Sequence, residues 1–283
     1  VAASGTLYRL AAFTTDPRGG NPAGVWVGEQ LPDSPTMQSI AKAVGFSETA
    51  FVVPTTGSRR TIRYYSPEAE VAFCGHATIA TGVVLGERDG DGTYDLDTAA
   101  GLVPVDVVSR DGHREASLTS VVPRYELASD ALLDQVLSTL GWTRPELDSS
   151  IPPARAFAGA WHLVLAAASE LRLATLSYDF AALKTLMLDD GLTTLQLVRR
   201  AGPTLFHARN PFPVGGVVED PATGASAAAL GGYLRDAGLI HPPHSFTILQ
   251  GQAMGRPSRV NVHVPATGGI VVSGAAIHLD TTP

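Results

Sequence analysis

The stretch Glu219-Asp-Pro-Ala-Thr-Gly-Ala-Ser226, continued by Ala-Ala-Ala-Leu-Gly-Gly-Tyr-Leu234, decides the fold. It reads as a loop that opens a helix. Asp220 has N-cap chemistry, and Pro221 suits the first helical position, where a missing N–H costs nothing. Thr223, Gly224, Ala225 and Ser226 carry no bulky side chain over the backbone. Ala227 to Leu234 are small and apolar all round, the composition of a buried helix. The first N–H groups of such a helix lack intrahelical partners and lie at the positive end of its dipole, so an anionic ligand group can dock there.

A second stretch repeats the design. Glu70-Val-Ala-Phe-Cys-Gly-His76 runs into Ala-Thr-Ile-Ala-Thr-Gly-Val-Val-Leu85. Gly75 and Gly224, Gly82 and Gly231, and Leu85 and Leu234 are each 149 residues apart. Upstream, Ile62–Pro67 echoes Phe206–Pro211, and residues 50–53 echo 194–198, near an offset of 144. Each half therefore reads as strand, Pro-containing loop, glycine turn and buried helix, and the two glycine turns could face one another across a cleft.

A chain of 283 residues suits two domains at the usual ~100–200 residues each. An apolar content of 45% supports a proper core. The net charge of −7, with no Lys/Arg block, argues against nucleic acid or an acidic membrane as partner. One cysteine, Cys74, allows no intramolecular disulfide and no Cys-x-x-Cys metal site, which fits a reducing compartment. The first residues carry no signal-peptide pattern, and no apolar run reaches the ~18 residues of a membrane span. The expectation is a cytoplasmic, soluble protein.

Along the chain, strands are expected over 6–14, 25–27, 46–53, 59–65, 94–108, 115–120, 161–166, 192–199, 205–209, 246–249, 258–264 and 269–276. Ser109-Arg-Asp-Gly112 reads as a turn and Asn210-Pro-Phe-Pro213 as a loop. Helices are expected over 36–44, with Ser34 as N-cap, Pro35 as first residue and Gly45 as stop, and over 128–140 and 180–189. The Pro/Asp/Ser-rich segment 143–153 is the candidate boundary, giving domains 1–150 and 151–283, with the last strand or the N-terminal segment free to cross over. The class is α+β: two pseudo-symmetric domains, each a rolled, barrel-like sheet around a central helix.

Glu48 opens a strand between Ser47 and Thr49. It is either a solvated edge charge or a general acid/base held in partial burial. His76 follows Gly75 at a helix start, where it is either structural or a hydrogen-bonding and proton-shuttling group. Asp220 is an N-cap, a role compatible with orienting a histidine or a substrate. Cys74 is a buried inert thiol or a nucleophile or base, since a helix N-terminus favours the thiolate. Its mirror position is Thr223, which excludes a two-thiol racemase. Asn21 is a turn residue or a polar hand on the substrate.

Phe13-Thr-Thr-Asp-Pro with Gly20-Asn-Pro-Ala-Gly24, Phe46-Ser-Glu-Thr-Ala-Phe51, Ile62-Arg-Tyr-Tyr-Ser-Pro67 with Cys74-Gly-His-Ala-Thr78, and Glu219-Asp-Pro-Ala-Thr-Gly224 stand in one order over nearly the whole chain. Together they resemble the PhzF-like phenazine-biosynthesis family of the diaminopimelate-epimerase-like superfamily. The resemblance implies two similar domains with the site in a cleft between them, a homodimer, and no cofactor or metal. It implies a proton-shifting isomerase acting on a small anionic, carboxylate-bearing substrate, as the family's trans-2,3-dihydro-3-hydroxyanthranilate isomerase does. Glu48 becomes the proton carrier, His76 and Asp220 its partners. Asn21, Ser47, Gly75, Ala77, Thr223, Gly224, Ala225 and Ser226 become substrate contacts. One departure stands out: the family usually reads Thr-Gly-Ser where this chain has Thr223-Gly-Ala-Ser226, so the hydroxyl is absent at 225. The rival readings are a binding protein without turnover and an epimerase that uses Cys74 as a base.

Overall fold

The structure, a computed structural model, describes residues 4–110 and 112–279. Residues 1–3, and Asp111 in the middle of the expected turn, lie outside the described residues. The chain forms two compact units, Val1–Thr119 with Ser273–Pro283, and Ser120–Val272. The expected boundary segment 143–153 lies inside the second unit, where it holds a short 3-10 turn, Arg144–Glu146.

The first unit runs β1 (Gly5–Ala12), β2 (Asn21–Gly28), α1 (Ser34–Val44), β3 (Glu48–Pro54), β4 (Arg59–Tyr65), β5 (Glu70–Val71), α2 (Gly75–Asp89), β6 (Gly92–Thr98), β7 (Gly101–Arg110) and β8 (His113–Thr119). The second runs β9 (Arg124–Leu127), α3 (Asp130–Leu140), β10 (Ala154–Phe157), β11 (Trp161–Ala166), α4 (Glu170–Ala174), α5 (Phe180–Asp189), β12 (Thr194–Gly202), β13 (Leu205–Phe212), β14 (Val217–Asp220), α6 (Gly224–Asp236), β15 (His244–Gln250) and β16 (Ser258–Val264). A last strand, β17 (Val271–His278), returns most of its length to the first unit.

In the first unit the pairing β1–β2–β3–β4–β6–β7–β8–β17 closes back on β1, an eight-stranded barrel. Antiparallel steps alternate with the parallel β2–β3 and β4–β6 steps. The second unit repeats that alternation: β10–β11 antiparallel, β11–β12 parallel, β12–β13 antiparallel, β13–β15 parallel, β15–β16 antiparallel. β9 lies against β10 as β17 lies against β1. The sequence echo is thus a repeated α+β topology.

Each unit wraps its sheet around one helix. In the first, α2 packs on β1, β2, β3, β7 and β8; in the second, α6 packs on β9, β10, β11, β12 and β16. Residues 76–86 of α2 and 226–234 of α6 are all buried. That explains their composition: a helix enclosed on every side takes small or apolar residues and no polar face. Thr78 and Thr81 fold their hydroxyls back onto the carbonyls of Cys74 and Ala77, each at 2.7 Å, so no buried donor is stranded.

Small residues also set how closely the strands approach. A Cβ at Gly82 would lie 2.8 Å from both Ala116 Cβ and Val105 Cγ1. At Gly232 it would lie 2.3 Å from Pro123 Cβ, and a proline ring has no rotamer to move away. Overpacking costs about 1–3 kcal/mol, and this contact belongs at the upper end. The gain in helix propensity from Gly to Ala is only ~1 kcal/mol. Gly232→Ala is therefore expected to lose about 2 kcal/mol, read as a lowered urea midpoint at unchanged slope.

Several local expectations are corrected. The helix expected to open at Pro221 opens at Gly224, with Thr223 at the N-cap position; Asp220 is instead the last residue of β14. Helix α1 is capped by Asp33, not Ser34: its carboxylate accepts from the Thr36 N–H at 2.9 Å. The Pro-rich stretch 210–212 is strand, not loop, because β14 pairs with it, Asn210 opposite Asp220 and Pro211 opposite Glu219. The bidentate pair between Arg209 and the buried Glu219, at 3.0 and 2.6 Å, secures that turn. The short elements β5, β9, β10, β14 and α4 were not foreseen. Among the described residues, no helix is long and apolar enough to cross a membrane.

Candidate active site

The expected site residues fall into two groups, one in each unit. In the first unit, Glu48 is the first residue of β3, in register with Ala23 of β2. Cys74 is the N-cap of α2, and Gly75 and His76 are its first two residues. His76 is 7% exposed, and its Nε2 lies 3.3 Å from Glu48 Oε2 and 3.3 Å from the Ser47 hydroxyl. Cys74 Sγ lies 3.3 Å from His76 Nδ1. The imidazole is therefore flanked by a carboxylate, a hydroxyl and a thiol. Glu48 is neither sealed in nor fully solvated: its side chain is 19% exposed.

The neighbours fix this arrangement. Gly75 has no atom within 4 Å of where a Cβ would stand, so its side is open, whereas Ala77 is fully buried against the barrel. Asn21 is buried at the start of β2, opposite Ala12. Beneath the cluster, the Tyr64 hydroxyl shares a 2.7 Å hydrogen bond with Thr78. Burial pushes that hydroxyl well above its usual range, against the effect of the hydrogen bond, so it stays neutral.

In the second unit the Asp220–Ser226 turn is held from within. The Thr223 hydroxyl donates to Asp220 Oδ2 at 2.5 Å. Gly224 opens α6 and Ala225 is half-buried. Ser226 is fully buried; its hydroxyl donates to the Thr223 carbonyl at 3.0 Å and accepts from Asn210 Nδ2 at 2.7 Å. It is engaged in the interior and does not replace the hydroxyl absent at 225.

Gln250, at the end of β15, was missed. It is 1% exposed; its Nε2 donates to the Asp220 carbonyl at 2.7 Å and to Thr223 Oγ1 at 3.1 Å, and its Oε1 accepts from the Thr223 N–H at 3.4 Å. One side chain thus ties Asp220 to Thr223. The available signal was its phase: Phe246, Ile248 and Gln250 alternate inward along one strand. Gln250→Leu is expected to cost about 1–3 kcal/mol, the range for stranding buried polar partners. Denaturant titration measures the loss, and amide exchange around Asp220–Thr223 should accelerate with it.

The two central helices differ from the others at their N-termini. Asp33, Ser129, Ser169 and Asp179 cap α1, α3, α4 and α5 with a side-chain hydrogen bond. Cys74 and Thr223 give α2 and α6 no such bond. At these two ends the N-cap side chain does not occupy the positive end of the dipole, a position that favours an anionic group.

Comparison with known proteins agrees with the fold. Residues 10–281 match the family described as phenazine biosynthesis-like protein, PhzC-PhzF. An uncharacterized isomerase of Bacillus subtilis is 28% identical over 97% of this chain and 97% of its own length. A trans-2,3-dihydro-3-hydroxyanthranilate isomerase of Pseudomonas fluorescens is 31% identical over 88% of this chain and 86% of its own. The crystal structure of a Bacillus anthracis PhzF-family protein superposes with a TM-score of 0.86 at 23% identity, covering 97% of this chain and 96% of the other. With its repeated rolled-sheet topology, its glycine-opened central helices and a family match over nearly its whole length, the chain belongs to the phenazine biosynthesis-like (PhzC-PhzF) family and is an isomerase.

Proposed function

We propose that this isomerase moves a proton between carbons of a small, carboxylate-bearing substrate, with Glu48 as the group that takes and returns it. The observation that carries the reading is the Glu48–His76 contact of 3.3 Å at the uncapped start of α2. A carboxylate there can reach a substrate C–H, while His76 and Ser47 hold its orientation. The N-terminus of α2 supplies docking for the substrate's anionic group, next to carbons that gain negative charge as the proton leaves. Asp220, fixed by Thr223, is assigned to charge and geometry in the second unit. Side chains carry the proton transfer, so no cofactor or metal is needed for it. The same reading includes cytoplasmic residence and a homodimer, the latter checked by sedimentation.

The substrate of the Pseudomonas fluorescens relative is the first compound to test, because that protein is similar over most of both chains. Ala225 makes an altered specificity the expectation, so a panel of small unsaturated and 2-substituted carboxylates belongs beside it. The assay is incubation in deuterated water, followed by mass spectrometry and NMR. Isomerised product with deuterium at one carbon supports the reading. A compound that binds but exchanges no C–H makes the protein a binder without turnover. A second reading has its own observation: the Cys74–His76 contact of 3.3 Å suits a thiol base and an epimerase. It predicts stereochemical inversion without a double-bond shift, and full loss of activity on alkylation.

A further inference from the structure

Glu48, Cys74 and His76 offer three different donor atoms, all within 4.8 Å of one another. We propose that they form a reversible binding site for Zn2+, so that occupation by zinc turns the isomerase off. The zinc site stands apart from the proton-transfer reading, and the shut-off rests on that reading.

Donor chemistry selects the ion. Thiolate, imidazole and carboxylate together suit a borderline-soft cation; Mg2+ and Ca2+ require shells of oxygen. The charges also suit it, since a thiolate and a carboxylate neutralise a dication around a neutral imidazole. In tetrahedral zinc sites, bonds near 2.0–2.1 Å to N and O and 2.3 Å to S place N and O about 3.3 Å apart and N and S about 3.5 Å apart. Here His76 Nε2 is 3.3 Å from Glu48 Oε2 and 3.9 Å from Cys74 Sγ. Cys74 Sγ lies nearer Nδ1, at 3.3 Å, so closing the set requires its side chain to turn to the Nε2 side of the ring; two of the three donors are already nearly out of water, at 8% and 7% exposure for Cys74 and His76. The fourth position falls toward Ser47 Oγ, 3.3 Å from the same nitrogen, or to a water. Three protein ligands with one open place is the pattern of a zinc that keeps a water or substrate position, unlike a closed structural site. On binding, the Cys74 thiol releases its proton to solvent and three coordinate bonds form; no redox partner is needed.

The test uses the full chain after chelator treatment. Co2+ is titrated in as a spectroscopic stand-in, followed by Zn2+. The expected result is a sulfur-to-cobalt charge-transfer band with intense four-coordinate visible bands, both abolished by one equivalent of Zn2+. Cys74→Ser should remove the charge-transfer band, and Glu48→Gln should weaken zinc binding at least about tenfold. Circular dichroism confirms that both near-isosteric variants remain folded. Because Cys74 is the chain's only cysteine, zinc should also slow its alkylation in the unmutated protein. A saturated cobalt complex without a sulfur band, or zinc affinity unchanged in Cys74→Ser, overturns the proposal. Once a substrate is found, zinc that binds at the three residues yet leaves turnover intact removes the shut-off and the role of Glu48, while the metal site stands.

Discussion

Glu48→Gln is expected to lower the rate of C–H exchange and isomerisation by about 10²–10⁴-fold, the usual contribution of a placed general acid/base. The amide has the shape of the carboxylate and can still hydrogen-bond His76 Nε2, 3.3 Å away, and Ser47 beyond it. What it cannot do is accept a proton from carbon. Substrate affinity should therefore change little while turnover collapses, a kcat effect at nearly constant KM. Ser47→Ala provides the contrast, since Ser47 is exposed and its hydroxyl hydrogen-bonds the imidazole. Its expected loss is far smaller, because the Glu48–His76 contact survives. Retention of wild-type turnover by Glu48→Gln, on a substrate the protein demonstrably isomerises, would take the proton-carrying role away from this carboxylate.

The frame of this fold was readable where local chemistry decides structure. The two glycine-opened helices were readable as a pair, Gly75 and Gly224 standing 149 residues apart, although the second was expected to open at Pro221. The strands 161–166 and 258–264 and the helix 180–189 have the expected ends, because apolar periodicity and capping residues are local signals. Errors came where a distant partner decides. Pro211 reads as a loop until β14 is seen folding back on it. Asp220 reads as a cap until that same pairing draws it into a strand, with three residues between it and the helix. Nothing near residue 271 announces that β17 will pair with β1 at the other end of the chain.

The site was legible in parts. Glu48 stands out at the start of one strand, Cys74 and His76 around one glycine turn, and the fold brings the three together. Their mutual contacts could not be read, since Cys74 and His76 meet across the bend from extended backbone into helix. Interior polar residues were overlooked where each takes a buried position in its strand: Gln250 in β15, Gln196 in β12, His162 in β11. A polar side chain on the inward phase of a strand is itself a signal, since burying it costs free energy unless something answers it.

His162 gives that signal its largest measurable consequence. It is 0% exposed in the core of the second unit, with Nδ1 sharing a 2.8 Å hydrogen bond with Thr194 Oγ1 and Nε2 unpartnered among the described residues. Burial alone pushes its pKa down from 6.5 to about 3, because no neighbouring charge offsets the loss of water around an imidazolium. The native state therefore refuses a proton that the unfolded chain accepts below pH 6.5. The stability that follows from this is present in full above pH 6.5 and is lost as pH falls toward 3. From pH 7 to pH 5 the loss from this one group is about 2 kcal/mol. The carboxylates held low by hydrogen bonds, Asp33 and Glu146 among them, start from unfolded values of 3.8 and 4.5, so their contributions lie below this window. His162→Leu keeps the volume roughly constant and leaves Thr194 Oγ1 with Asn210 Nδ2 at 3.4 Å. Denaturant titrations at pH 7, 6 and 5 should show the wild type losing about 2 kcal/mol more than the variant across that range. Parallel pH profiles for the two proteins would mean that the imidazole is protonated or hydrated inside the fold, contrary to its burial.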